Sequence, residues 1–276
     1  MIAFADHAEL HSFPTSDGSL AYRDVGTGQP LVLLHAGFYD HTMWSEQLPA
    51  FAPRYRVIAP DARGHGASAN ATRPFRPADD LAALLRHLDA GPAVLVGISM
   101  GGGTAVDTAL EHPDLVRALV VSGVGTSEPH FEDPWSLEVL AEQNGALAAG
   151  DIEGWLNGHV RVAAGPHRSP ADVDAGIARH LRAMASHTIS KHTPDEPDHL
   201  VPVRQTWQRA ESIGVPVLAI NGALDGSDHI AMAERLVRAV PDGRAVSLEN
   251  TAHFPNMESP AEFNTLLTDF LETLPN

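Results

Sequence analysis

The chain has no cysteine. Disulfide staples, thiolate metal sites and a cysteine nucleophile are therefore excluded. Basic residues are scarce as well: 18 Lys plus Arg face 35 Asp plus Glu, a formal charge of −17. Nucleic-acid binders need a basic face for phosphates, so no nucleic-acid partner is expected. An acidic surface favours solubility and says little about substrate. No apolar run approaches the roughly 18 residues of a membrane span. Met1 to Leu10 carry Asp6 and Glu9 and lack a basic start followed by an apolar core, so no secretory leader is expected. These features read as a soluble, cytoplasmic protein without a membrane partner.

What is present is a pattern of alternation. The 276 residues suffice to bury a sizeable core without staples. Residues 10–13 and 19–25 read as two strands about the turn Ser16-Asp17-Gly18. Apolar runs at 31–34, 57–59, 94–98 and 117–124 read as strands buried on both faces. Between them, 41–52 and 77–88 carry apolar residues at helical spacing. This alternation predicts a mostly parallel sheet flanked by helices. From 126 to 202 strand-like runs vanish, helical pieces appear at 135–143 and 172–186, and a proline-rich return runs from Thr193 to Pro202. Structureless loops of that length are rare, so the stretch is expected to be an inserted helical cap. The core is then 1–125 plus 203–276, with helices at 203–213, 230–240 and 260–271 and strands at 216–220 and 245–248.

One stretch carries the chemistry. After the run ending at Ile98 comes Ser99, with Gly97 and Gly101 two residues to either side, and then a helix-compatible segment. Gly-x-Ser-x-Gly occurs by chance roughly 0.1 times in a chain of this composition. Its position between a buried strand and a helix narrows the reading to a sharp turn that lifts the Ser99 hydroxyl clear of the sheet. A serine hydroxyl needs an adjacent base, and the base needs a carboxylate to hold its tautomer. Two later strand ends offer them: Asp225 follows the strand at 216–220, and His253 follows the strand at 245–248. Groups at the carboxyl ends of strands in an open α/β sheet converge. Asp228 stands as the alternative acid and His229 as the alternative base.

The order Ser99, Asp225, His253 resembles that of the α/β-hydrolases. The likeness extends to His-x-Gly at 35–37, Asp-x-Arg-Gly-His-Gly at 61–66, Gly-Ile-Ser-Met-Gly-Gly at 97–102, Gly-x-x-Asp at 222–225 and Ala-His-Phe-Pro at 252–255. It implies an α/β-hydrolase fold with a helical cap and a serine hydrolase that needs no cofactor. The substrate would be a small ester or lactone, with C–C bond hydrolysis, perhydrolysis or a slow-turnover binding protein as alternatives. It also implies an oxyanion hole made by the backbone N–H of Met100 and that of Gly37, with Phe38 as runner-up. Ala36 departs from the usual His-Gly start of that turn. Phe38, Phe131, Trp135 and Trp155 are candidates for an apolar pocket. The resemblance makes His35 and the loop residues Asp61, Arg63 and His65 structural.

Sixteen histidines raise the question of metal. His7 and His11 are four apart without a third ligand, seven more scatter from His130 to His199, and His-Glu-x-x-His is absent. They read as solvated side chains, and no metal site is expected.

Overall fold

The computed structural model describes residues 9–275. The His7 end of the His7/His11 pair, and most of the segment searched for a leader, lie outside the described residues. Eight strands form one sheet in the order β1-β2-β4-β3-β5-β6-β7-β8. β1 (Leu10–Pro14) and β2 (Ser19–Val25) make an antiparallel hairpin, and β2 is antiparallel to β4 (Arg56–Pro60). The others, β3 (Pro30–Leu34), β5 (Ala93–Ile98), β6 (Val116–Ser122), β7 (Val217–Gly222) and β8 (Gly243–Leu248), run parallel.

Every residue of β5 and β7 is buried, as expected where helices cover both faces of a parallel sheet. Alternate residues of one strand serve opposite layers. Leu31, Leu33, Val94 and Val96 pack with Phe51 of α1 (Gln47–Phe51) and Phe263 and Leu267 of α10 (Pro260–Thr273). Val32, Leu34 and Leu95 pack with α2 (Pro77–His87), α3 (Met100–Glu111) and α8 (Ser227–Ala239) through Leu84, Val106 and Leu236.

Between β6 and β7 lie α4 (Pro134–Ala148), α5 (Ile152–Ala164) and α6 (Ala175–Ile189). Each begins at an aspartate, Asp133, Asp151 or Asp174, whose side chain accepts a first-turn N–H. Trp155, Leu156, Val160, Leu181 and Met184 of these helices belong to the same apolar cluster as Leu31 and Ile98, so the inserted helices share the core rather than building their own. α5 escapes sequence reading because Gly154 and Gly158 interrupt its apolar stripe.

Two expected helices are broken. Residues 41–52 form a 3₁₀ turn at His41–Trp44, capped by Asp40, and then α1. Pro49 has no N–H to give to Ser45, so a helix can hold it only in its first turn. In place of a helix over 203–213 the chain makes α7 (Thr206–Arg209) and a 3₁₀ turn at Ala210–Ser212. Gln205, in the left-handed region at φ 58°, delays the start. A further short helix, α9 (Pro255–Glu258), follows the loop after β8.

Candidate active site

Ser99 sits at the junction of β5 and α3 with φ 51° and ψ −117°. A non-glycine residue in that region costs on the order of 1–3 kcal/mol, a strain that clusters at working sites. Its flanking glycines are required by space. A Cβ on Gly97 would fall 2.3 Å from the backbone of Gly101, and one on Gly101 would fall 2.2 Å from the Leu34 carbonyl. The Ser99 N–H donates to the Ser122 carbonyl at 2.9 Å, tying the elbow to the end of β6. Met100 is the first residue of α3, where N–H groups have no partner within the helix.

Asp225 and His253 come from the loops after β7 and β8. Nδ1 of His253 lies 2.8 Å from Oδ2 of Asp225, both side chains buried. A carboxylate only accepts, so Nδ1 carries the proton and Nε2 is the basic nitrogen. Oδ1 of Asp225 accepts the Gly226 N–H at 2.7 Å. Burial alone would raise the Asp225 pKa, but the imidazoles of His253 and His229 outweigh it and hold the carboxyl well below the usual range. Gly123, directly after the Ser122 that receives the Ser99 N–H, forms the wall behind this pair. A Cβ there would fall 2.7 Å from Cε1 of His253 and 3.0 Å from Oδ2 of Asp225.

The alternative acid lies elsewhere, while the alternative base shares Asp225 with His253. Asp228 accepts the N–H groups of Glu132 and Asp133, fixing the approach to α4. His229 holds Nδ1 3.3 Å from Oδ1 of Asp225, without the alignment of a hydrogen bond. Burial opposes its charge, but the carboxylate beside it outweighs burial and raises its pKa. The His229 ring lies 4.4 Å from that of His253 and meets Phe131 edge-on at 5.4 Å.

A cavity of about 640 Å³ opens at the elbow, lined there by Ser99, Met100, Gly123, His229 and Phe131. Of the four aromatic side chains expected at a pocket, Phe131 lines this cavity. Phe38 and Trp155 pack edge-to-face at 4.9 Å outside its lining, and Trp135 lies against Gly226. The backbone of Gly37 faces the Met100 side chain, whose Cβ and Sδ lie 3.8 and 3.9 Å from where a Gly37 Cβ would be. Phe38, next in the turn, is left-handed at φ 65°.

His35 organises the turn. The Ala62 N–H donates to its Nε2 at 2.9 Å, which leaves Nδ1–H to donate to the Ala36 carbonyl at 2.8 Å. Asp61 accepts from the His41 and Ala67 N–H groups and from Nδ1 of His41. Arg63 forks onto Asp80 at 2.7 and 2.8 Å. His65 lines the cavity, and burial lowers its pKa to about 3.

His130 and His167 are exposed, but the reading of the later histidines as solvated needs correction at three others. His159 is buried, with Nδ1 2.9 Å from the Tyr39 hydroxyl, and burial takes its pKa down to about 4. Nε2 of His180 lies 3.1 Å from the Thr42 hydroxyl, and that of His192 lies 2.9 Å from the Gly64 carbonyl. These contacts reach 120 residues or more along the chain, beyond what local spacing reveals. Among the described residues two groups bring three possible ligand atoms within 4.8 Å of one another: Asp225/His229/His253 and Asp40/His41/Asp61. Their carboxylates are engaged by the hydrogen bonds given above and, for Asp40, by the Thr42 N–H and hydroxyl.

Residues 29–260 match the model of the alpha/beta hydrolase fold family, and the chain belongs to that family. It is a hydrolytic enzyme. It is 28% identical to 3-oxoadipate enol-lactonase 2 of Acinetobacter baylyi, over 81% of this chain and 81% of that protein. It is 27% identical to 2-(acetamidomethylene)succinate hydrolase of Mesorhizobium japonicum, over 92% of each chain. Its fold is that of the esterase RhEst1 from Rhodococcus sp. ECU1013, with a TM-score of 0.80 at 24% identity, covering 96% of this chain and 99% of that one.

Proposed function

We propose that the enzyme cleaves carboxylic esters or lactones through an acyl-enzyme on Ser99. The observation that carries this is the 2.8 Å contact between His253 and Asp225, held against the Gly123 that follows the residue bonded to the Ser99 backbone. Asp225, kept ionised at its buried position, fixes the imidazole with Nδ1 protonated and offsets the charge that develops when Nε2 takes a proton. Ser99 attacks the carbonyl, His253 removes its proton, and the N–H groups of Met100 and Gly37 receive the oxyanion. His253 returns the proton to the leaving alkoxide, and water activated by the same nitrogen releases the acid. The likeness to a lactone-cleaving relative supports the substrate class. The 126–202 insert acts in this reading as a cap over the core.

A burst of p-nitrophenol from a short-chain ester, lost in Ser99→Ala, tests the nucleophile. A phosphonate adduct mapped to Ser99 is the expected companion result. An adduct elsewhere, or undiminished turnover by the variant, overturns the assignment.

A further inference from the structure

The cavity that contains Ser99 continues along one face of α3. Ser99, Gly103 and Asp107 all line it at intervals of four residues, the spacing of a single helix face. Eight residues of helix advance about 12 Å along the axis, so the backbone of Asp107 stands about that far beyond that of Ser99. Between the two ends the wall is largely apolar, with Leu81, Leu84, Val124 and Met232 among its residues.

Asp107 is 5% exposed. One of its oxygens accepts the Ser127 hydroxyl at 2.6 Å, and the other accepts no hydrogen bond from a described residue. Other acids of the same cavity are engaged. Asp61 holds His41 and two N–H groups, Asp80 holds Arg63, Glu196 pairs with His192, and Asp198, which is exposed, accepts the Leu200 N–H. The cation nearest Asp107 by its effect is Arg76, which is bonded to Glu111, while Glu111 and Glu128 add negative charge. Burial, the leading cause, raises the Asp107 pKa to about 6, so at neutral pH the group is mainly ionised. A buried carboxylate without a contacting cation is a costly arrangement that a cationic ligand relieves. The overall charge of −17 also draws cations toward the surface.

We propose that Asp107 is the distal subsite of the substrate pocket and receives a protonated amine. The substrates are then esters or lactones that carry an ammonium group roughly six methylenes from the reacting carbonyl, the span set by two turns of helix. Only the reacting end of this inference rests on the serine-hydrolase reading; the amine site stands on the geometry of Asp107.

The test compares p-nitrophenyl 7-aminoheptanoate with p-nitrophenyl octanoate, its isostere without charge. The wild-type kcat/KM is expected to favour the amino ester by about tenfold or more, and Asp107→Asn is expected to bring the ratio near one. A wild-type ratio near one, or a preference that survives in Asp107→Asn, overturns the proposal. Heptylammonium binding, measured by calorimetry on wild type and Asp107→Asn, decides the matter without any hydrolysis. Binding is expected in the first and lost in the second, and equal binding refutes the subsite. If the variant does not fold, competition on wild type between heptylammonium and 1-heptanol replaces it, with inhibition by the amine alone as the supporting result and equal inhibition as the refuting one. Loss of hydrolysis in Ser99→Ala is scored separately, so failure of the nucleophile assignment and failure of the amine site remain distinct.

Discussion

Replacing Gly123 by alanine perturbs the acid–base pair without altering a reacting atom. Gly123 lies in the left-handed region at φ 63°, which costs an alanine on the order of 1 kcal/mol. The larger effect is steric. The new methyl falls 2.7 Å from Cε1 and 2.8 Å from Nδ1 of His253, whereas non-bonded carbons rest about 3.5–4.0 Å apart. The imidazole must therefore retreat by nearly 1 Å, or the strand end must move and carry the Ser122 carbonyl with it. A misplacement of about 1 Å costs roughly a hundredfold in rate. The expected outcome is a fall of about 10² in kcat on a p-nitrophenyl ester, with a loss of only about 1–2 kcal/mol in urea unfolding. Gly145→Ala serves as control. It lies inside α4 with nothing within 4 Å of the added carbon, so activity should hold and stability should rise by about 0.5–1 kcal/mol. Wild-type kcat in a folded Gly123→Ala protein would refute the placement of His253 as the working base.

The two histidines that share Asp225 separate by substitution: His253→Gln should cost about 10³-fold or more in kcat, His229→Gln less than about tenfold, and the reverse ranking would make His229 the base. Asp107 sets a pH dependence of stability. Its folded pKa of about 6 lies above the ordinary 3.8, so the folded chain holds a proton that the unfolded chain releases, and this contribution is lost as pH rises from about 4 to 6. The shift corresponds to at most about 3 kcal/mol. Urea unfolding of Asp107→Asn relative to wild type should therefore improve across that window, and a flat difference contradicts the assignment. Arg168, in the loop after α5, reaches the Ala163, Ala164 and Asn250 carbonyls and pairs with the half-buried Glu258 at 2.6 Å. Glu258 in turn accepts the Ala252 N–H, next to His253. Arg168→Ala should cost about 3 kcal/mol of stability, read by denaturation, and an unchanged midpoint would show that the pair is not coupled to folding.

The sheet is legible in the sequence because burial on both faces writes itself as continuous apolar runs. Leu31–Leu34 and Val94–Ile98 have no polar residue to mark an outer side, and each occupies the middle of the sheet. Helices that cover one face are legible in the same way, as with Leu81, Leu84 and Leu85 of α2. The inserted helices are less so. Their apolar residues are shared with the central core, and polar partners such as Tyr39 for His159 lie 120 residues away. Periodicity reports which side of a helix is buried. It carries no information about what covers that side.

The same distinction explains the site. Ser99, Asp225 and His253 are nameable from sequence because each follows a strand, and a parallel sheet delivers strand ends to one rim whatever the intervening loops contain. Asp107 and His229 follow no such rule. Asp107 is one polar residue inside a helix buried on most of its sides, indistinguishable by sequence from a solvent-facing aspartate such as Asp80's neighbour Asp79 on α2. What sets it apart is the absence, among the described residues, of a contacting cation at a buried position, a property of three elements that meet: α3, the Ser127 loop after β6, and the wall made by α2. In the proposed reading the topology determines where bond cleavage occurs, while the choice of substrate falls to Asp107, a single polar residue facing a largely apolar cavity. That division makes the amine subsite removable by one substitution, with the acid–base pair left in place.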